Sequence, residues 1–236
     1  EHRRVGTRDF ALFHPHGTWT DDTVLSLAVA EAILLGRPYG EVIRQFARLY
    51  PDAGYGGSFL RWIQERDAPS YGSWGNGSAM RAPAIGYAFD SLPEVIRQAE
   101  RSAIPTHDHP EGIKGAQAVA ACVFLARKAT SKDRIRQFVE SEFDYNLSRS
   151  LAEIRPAYRF DVSCQGSVPE AILCFVECSS WEDAIRNAIY LGGDSDTLGC
   201  MAGAIAEAWY GCIPDVVATR VVAALPEHLR AVASRF

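Results

Sequence analysis

The 236-residue sequence lacks a CxxC pair, a heptad run, an internal repeat and a low-complexity tract. It also lacks an uncharged apolar stretch of the roughly eighteen residues that a membrane span needs, so no membrane-spanning helix is expected. The six cysteines, Cys122, Cys164, Cys174, Cys178, Cys200 and Cys212, are scattered mostly through apolar runs, with no signal peptide in front of them. They read as buried free thiols of a reducing, cytoplasmic protein. Positive charge is scarce too: 24 Lys and Arg against 29 Asp and Glu leave a net charge of -5. No broad cationic surface is available for phosphate backbones, so general nucleic-acid binding is not expected, although a local pocket can still accept a small anion. The chain starts at Glu1 rather than at a Met, and an upstream segment is expected to be missing from it.

What is present is a core. With 47% hydrophobic residues over this length, a single large domain spanning 1–236 is the expectation. Apolar positions recur with helical spacing, and no alternating strand of useful length stands out, which predicts an all-α fold. Helices are expected at about 22–35, 39–49, 57–66, 78–89, 92–103, 111–129, 131–143, 167–178, 181–190, 196–210 and 214–224. Pro38, Pro51, Pro69, Pro93, Pro110, Pro169 and Pro214 fall at starts or between these segments, where a missing N–H does least harm. Two helices, 23–35 (TVLSLAVAEAILL) and 197–210 (TLGCMAGAIAEAWY), are apolar nearly all round and belong in the middle of the protein. The others carry a charged face and should form the outer layer.

Both apolar helices open with the same grammar. The first is preceded by Thr20, Asp21, Asp22 and Thr23, the second by Gly192, Gly193, Asp194, Ser195, Asp196 and Thr197. Thr, Ser and Asp are preferred N-caps, and acidic side chains suit the first turn, so either cluster alone reads as capping. A cap needs one oxygen, however, and paired carboxylates on a buried element are surplus and costly. If the two heads meet, four carboxylates converge and raise one another's pKa unless cations neutralise them. Hard divalent cations with oxygen ligands, Mg²⁺ above all, fit such a cluster better than zinc, and a pair of them makes a hydrolytic centre.

Three further stretches stand out. In SWGNGSAMRAP (73–83), Gly75 and Gly77 flank Asn76 and lead into a helix at Ser78. That suits a tight turn bringing N–H groups to a phosphate or ribose, or a plain turn. Arg81 beside it could reach a carboxylate or phosphate, or make a structural ion pair. In THDHPEGIKGA (106–116), His107 and His109 could bind a metal, donate to phosphates, or cap; with His14 and His16 they form a second-choice zinc set. DVSCQGSVPEAI (161–172) reads as loop then helix, with Cys164 a buried thiol rather than a nucleophile.

Taken in order, TDDT (20–23), GNGSAMR (75–81), THDHPEGIKGA (106–116), SCQGSVPEA (163–171) and LGGDSDTLGCMAGAIAEAWYG (191–211) resemble the ADP-ribosylglycohydrolases. This is the group that includes dinitrogenase reductase-activating glycohydrolase and the ADP-ribosyl-acceptor hydrolases. The resemblance implies a single-domain orthogonal α bundle with two Mg²⁺ ions, or Mn²⁺, in a central cleft. It implies Thr20, Asp21, Asp22, Asp194, Asp196 and Thr197 as metal ligands. Asp22, Asp194 and Asp196 become the catalytic carboxylates, with Glu1 as the candidate for a glutamate on a mobile flap. Gly75, Asn76, Gly77, Ser78 and His107 would line the ADP-ribose site, with Gly166 and Ser167 as further lining. The GDxxG stretch that usually begins such chains is absent here. The implied reaction is hydrolysis of the glycosidic bond between ADP-ribose and an acceptor on a protein or small molecule, arginine and serine among them. The rival readings are a non-catalytic ADP-ribose- or toxin-binding protein of the immunity type and a dinuclear metal phosphohydrolase acting on nucleotides.

Overall fold

The computed structural model describes residues 5–236, which form fourteen helices. They are α1 (Asp21–Leu35), α2 (Tyr39–Leu49), α3 (Gly57–Gln64), α4 (Gly77–Met80), α5 (Pro83–Ala88), α6 (Leu92–Ala103), α7 (Pro110–Arg127), α8 (Lys132–Phe143), α9 (Leu151–Ile154), α10 (Cys164–Val176), α11 (Trp181–Leu191), α12 (Ser195–Tyr210), α13 (Asp215–Ala224) and α14 (Glu227–Arg235). Among the described residues there is no strand. Extended chain pairs only at an isolated antiparallel bridge between Gly75 and Ser163. The all-α expectation therefore holds. No described helix is long and apolar enough to cross a membrane.

The expected helix over 78–89 is two helices, α4 and α5, interrupted at Arg81 and Ala82. Pro83 has no N–H for the carbonyl of Ala79, and its ring crowds that carbonyl, so the helix stops and restarts with Pro83 in its first turn. Pro169 departs from the expectation in the other direction, because it lies inside α10. The helix begins at Cys164 rather than at 167, since the Ser163 hydroxyl accepts from the N–H of Gly166 and caps it there. The short α9, closed by a reciprocal Ser150–Glu153 capping box, and the C-terminal α14 lie outside the expected set. In α14 only Leu229 and Val232 are buried, too sparse a pattern to announce a helix.

Helices α1 and α12 are central, as their all-round apolar character requires, but they share the middle with α7. That helix packs against α4, α5, α6, α8, α10 and α12. Its buried surface is mostly alanine and glycine, from Gly112 through Ala126, so it is weakly hydrophobic in sequence yet allows neighbours very close approach. At Gly86 of α5 a Cβ would sit 2.5 Å from the carbonyl oxygen of Ala120. All six cysteines are free thiols; Cys122, Cys164, Cys174 and Cys178 are buried. Cys200 is only partly covered and Cys212 is exposed, contrary to expectation. Gly211 ends α12 in the left-handed conformation, and the chain carries Cys212 out to solvent.

Candidate functional site

The heads of α1 and α12 meet. Thr20 Oγ1 donates to Asp22 Oδ2 at 3.1 Å, and Thr197 Oγ1 donates to the same oxygen from across the interface at 3.4 Å. Neither helix uses its acidic head as a cap: Thr20 and Asp194 occupy the N-cap positions, and neither side chain accepts a capping hydrogen bond. Asp194 Oδ2 instead accepts from the Asn76 amide at 2.7 Å. Asp22 Oδ1 is buried with no hydrogen-bond partner. An orphaned carboxylate oxygen of this kind is costly and calls for a counter-charge.

The electrostatics agree. Burial first, then the neighbouring Asp196 and Asp21 carboxylates, push the Asp22 pKa up to about 8. Burial and the facing charges of Asp196 and Asp194 raise Asp21 to about 6. Asp194 is also raised, by burial and by Asp196, against the hydrogen bond from Asn76 that favours its anion. Carboxylates from both heads thus repel one another across the interface. The backbone that aims Asp194 is itself constrained. Gly192 and Gly193 both have positive φ, and a Cβ on Gly193 would lie 2.6 Å from the Tyr158 ring.

These heads form the floor of a cleft of about 570 Å³. Thr20, Asp21, Asp194, Asp196 and Thr197 line it, with Asp22 buried alongside. The segment 52–59 flanks the α1 head, tied to it by the Asp21 N–H donating to the Ala53 carbonyl at 2.8 Å, and contributes Asp52, Tyr55, Ser58 and Phe59. The segment 71–77 flanks the α12 head through the Asn76 bond, and brings Tyr71, Ser73, Gly75, Asn76 and Gly77 together with His107. Phe160 and Val162 add to the lining, as do Trp19, Leu25, Met80 and Arg81.

The GNG turn reaches the cleft, but not as an open cradle of N–H groups. The Gly75 N–H is taken by Ser73 Oγ and the Asn76 N–H by the Val162 carbonyl. Ser78 is not part of the wall: it is fully buried and donates to the Gly112 carbonyl at 2.7 Å. Nor do Gly166 and Ser167 line it. Ser167 is buried with its hydroxyl on the Ser163 carbonyl, and Gly166 packs against Asp161 in the first turn of α10. Cys164 donates to the Gly75 carbonyl at 3.0 Å, and burial pushes its thiol up to about 12, which leaves it inert as a nucleophile. His109 caps α7 by accepting from the Glu111 N–H. His14 and His16 are exposed, so the four-histidine set is not assembled. Glu1 lies outside the described residues.

The donor set suits a hard cation: carboxylates and threonine hydroxyls, with no sulfur or imidazole among them. Among the described residues no three His, Cys, Asp or Glu side chains already stand close enough to ring one ion. The floor is therefore a group of carboxylates facing one another, with hydroxyls between them and one buried oxygen unsatisfied, rather than a closed coordination sphere.

The family profile of the ADP-ribosylglycohydrolases matches residues 1–236. The chain belongs to this family. It is 30% identical to the ADP-ribosylhydrolase ARH3 of Bos taurus over 82% of this chain and 70% of that one. It is 25% identical to the ADP-ribosyl-dinitrogen reductase glycohydrolase of Rhodospirillum rubrum, over 89% and 74%. A solved ADP-ribosylglycohydrolase-related protein complex superposes with a TM-score of 0.70 at 26% identity, covering 93% of this chain and 82% of that one. Membership in the family supports hydrolysis of ADP-ribosyl linkages.

The 52–59 wall escaped sequence reading. Its sequence, DAGYGGSF, pairs a glycine run with two aromatics, a loop that can bend closely around a ligand, and that pairing was the available signal. Phe160 and Val162 gave none, since nothing local distinguishes them from core residues.

Proposed function

We propose that this chain is a magnesium-dependent hydrolase that releases ADP-ribose from a modified acceptor by cleaving the glycosidic bond at the anomeric carbon. The observation that carries this reading is the meeting of two acidic helix heads on the floor of one cleft, with neither spent on capping. Thr20, Asp21, Asp22, Asp194, Asp196 and Thr197 would hold two Mg²⁺ ions, or Mn²⁺ in their place. Bound there, the ions would offset the carboxylate charge and polarise and orient the reacting oxygens.

The chain's own residues supply the rest. A water oxygen bonds to the anomeric carbon as the bond to the acceptor breaks, through an oxocarbenium-like state. The water's proton passes to a carboxylate, Asp196 or Asp194, and the departing acceptor takes up a proton that this carboxyl group returns, which regenerates the carboxylate. Asp196 is the most exposed of the four carboxylates and so the most accessible to water, while Asn76 fixes the orientation of Asp194. His107 and the Gly75–Gly77 turn border the same cleft, and by resemblance to the family they would face the diphosphate.

Product analysis tests this reading. Incubation with serine-linked and arginine-linked ADP-ribosyl peptides in Mg²⁺ should release free ADP-ribose. AMP or phosphate would instead mean attack at phosphorus, and binding of ADP-ribose with no turnover on any acceptor would mean a non-catalytic binder; either result sinks the proposal.

A further inference from the structure

We propose that Arg81 and Thr106 are positioning residues that hold His107 as its Nε2–H tautomer, a hydrogen-bond donor aimed into the cleft at an anionic oxygen of the ligand. Three buried side chains form a chain of hydrogen bonds. Arg81 Nη2 donates to the Ser102 carbonyl at 2.8 Å and to Thr106 Oγ1 at 2.9 Å. Thr106 Oγ1 lies 2.7 Å from His107 Nδ1. The far ring nitrogen, Nε2, points toward the glycine turn, 3.4 Å from where a Cβ on Gly77 would be, and makes no hydrogen bond among the described residues.

Proton counting fixes the direction of the chain. Arginine only donates, so Thr106 Oγ1 must accept from Arg81. The threonine hydroxyl has one proton of its own, Thr106 is fully buried, and among the described residues His107 Nδ1 is the one acceptor hydrogen-bonded to it. If Nδ1 carried the proton and donated to Thr106, the hydroxyl proton would be buried with no acceptor, a penalty comparable to a lost hydrogen bond. The hydroxyl therefore donates to Nδ1, and the imidazole proton sits on Nε2.

The surroundings also keep the ring neutral. A second proton on Nδ1 would face the hydroxyl proton of Thr106. The Arg81 guanidinium has no carboxylate among its partners, and its Nε and Nη1 are buried without a partner, so its charge is felt by its neighbours. Burial first, and then this cation, push the His107 pKa well below its usual range. Also beside the ring are the Tyr71 phenol, its ring 6.2 Å away, and the uncharged Gly75, Gly77 and Gly112. A neutral donor and an unpaired buried cation behind it both favour an anion in the cleft. Only the identity of that anion, the diphosphate of ADP-ribose, rests on the function proposed above.

The test combines a spectroscopic readout of the free protein with binding. In ¹⁵N-histidine-labelled protein, with the His107 signal assigned by its loss in H107Q, long-range ¹H–¹⁵N spectra should show the neutral Nε2–H form from pH 5 to 8. Thr106→Val is nearly isosteric and removes only the hydroxyl; it should mix the tautomers and weaken ADP-ribose binding about tenfold, the worth of one buried hydrogen bond. Thr106→Ser should restore both. An Nδ1–H tautomer in the wild type, a His107 that titrates near 6.5, or a T106V protein with unchanged tautomer and affinity would each overturn the proposal. Should wild-type protein fail to bind ADP-ribose, the functional reading falls, and the tautomer spectrum alone decides the role of Arg81 and Thr106.

Discussion

At the scale of single residues, Asp22 is the side chain that most separates a metal centre from a decorated helix start. Its folded pKa, about 8, lies above the ordinary 3.8. Between roughly pH 4 and 8 the folded protein therefore keeps a proton that the unfolded chain has released, and stability falls as pH rises through this window. Asp21 acts in the same direction over a lower range, up to about 6. Asp22→Asn removes the buried anion and keeps its shape. In EDTA the variant should match the wild type near pH 4 and exceed its Tm at pH 8, by roughly 2–8 °C for a domain of this size. Added Mg²⁺ should raise the wild-type Tm and leave D22N nearly unmoved. Thermal melts across pH with and without the ion measure this, and a wild-type Tm in EDTA that does not decline toward pH 8 would count against the crowded-carboxylate picture. The sequence offered both the oxygen cluster and the capping alternative; the choice between them needed the direction of two hydrogen bonds, from Thr20 to Asp22 and from Asn76 to Asp194.

Elements were legible where their signals were local. The apolar runs of α1 and α12, the prolines at the starts of α6 and α7, and the left-handed glycines after α1 and α12 all mark helices in the sequence itself. What was not legible depended on partners. Pro83 splits one apolar stretch in two, and Pro169 is accommodated inside α10 because the Ser163 cap moves the helix start upstream. Helix α7 is central because its small residues admit close neighbours, a property that hydropathy does not register. Two substitutions test these packings. Gly86→Ala should destabilise the protein by about 1–3 kcal/mol, the usual cost of overpacking, because its Cβ would press on the Ala120 carbonyl; chemical denaturation reads this directly. Gly193→Ala combines a positive φ with a clash against the Tyr158 ring, and it sits next to Asp194. It should lower kcat at least tenfold, since displaced catalytic groups lose rate steeply. Unchanged turnover in a folded G193A protein would mean that the α12 head tolerates displacement.

At the scale of the whole molecule, function depends on a long-range coincidence. Residues 20–22 and 194–197 lie at opposite ends of the chain, and the packing of α1 and α12 against each other brings them to one floor. Each motif could be read by itself, and their similarity suggested a shared purpose. Their meeting follows only from the bundle that surrounds them. Of the walls of the cleft, the glycine turn at 75–77 and His107 were legible in the sequence, whereas 52–59, Phe160 and Val162 were found only once the helix heads were in place. The central claim is that the two heads act as one hydrolytic centre. Its most direct measurement is the rate of ADP-ribose release from a modified peptide as Mg²⁺ is titrated, for the wild type and for Asp21→Ala and Asp22→Ala. The account predicts saturable dependence on the ion in the wild type and a loss of at least a hundredfold in each variant. Release that persists undiminished in EDTA, or in both variants, would contradict it.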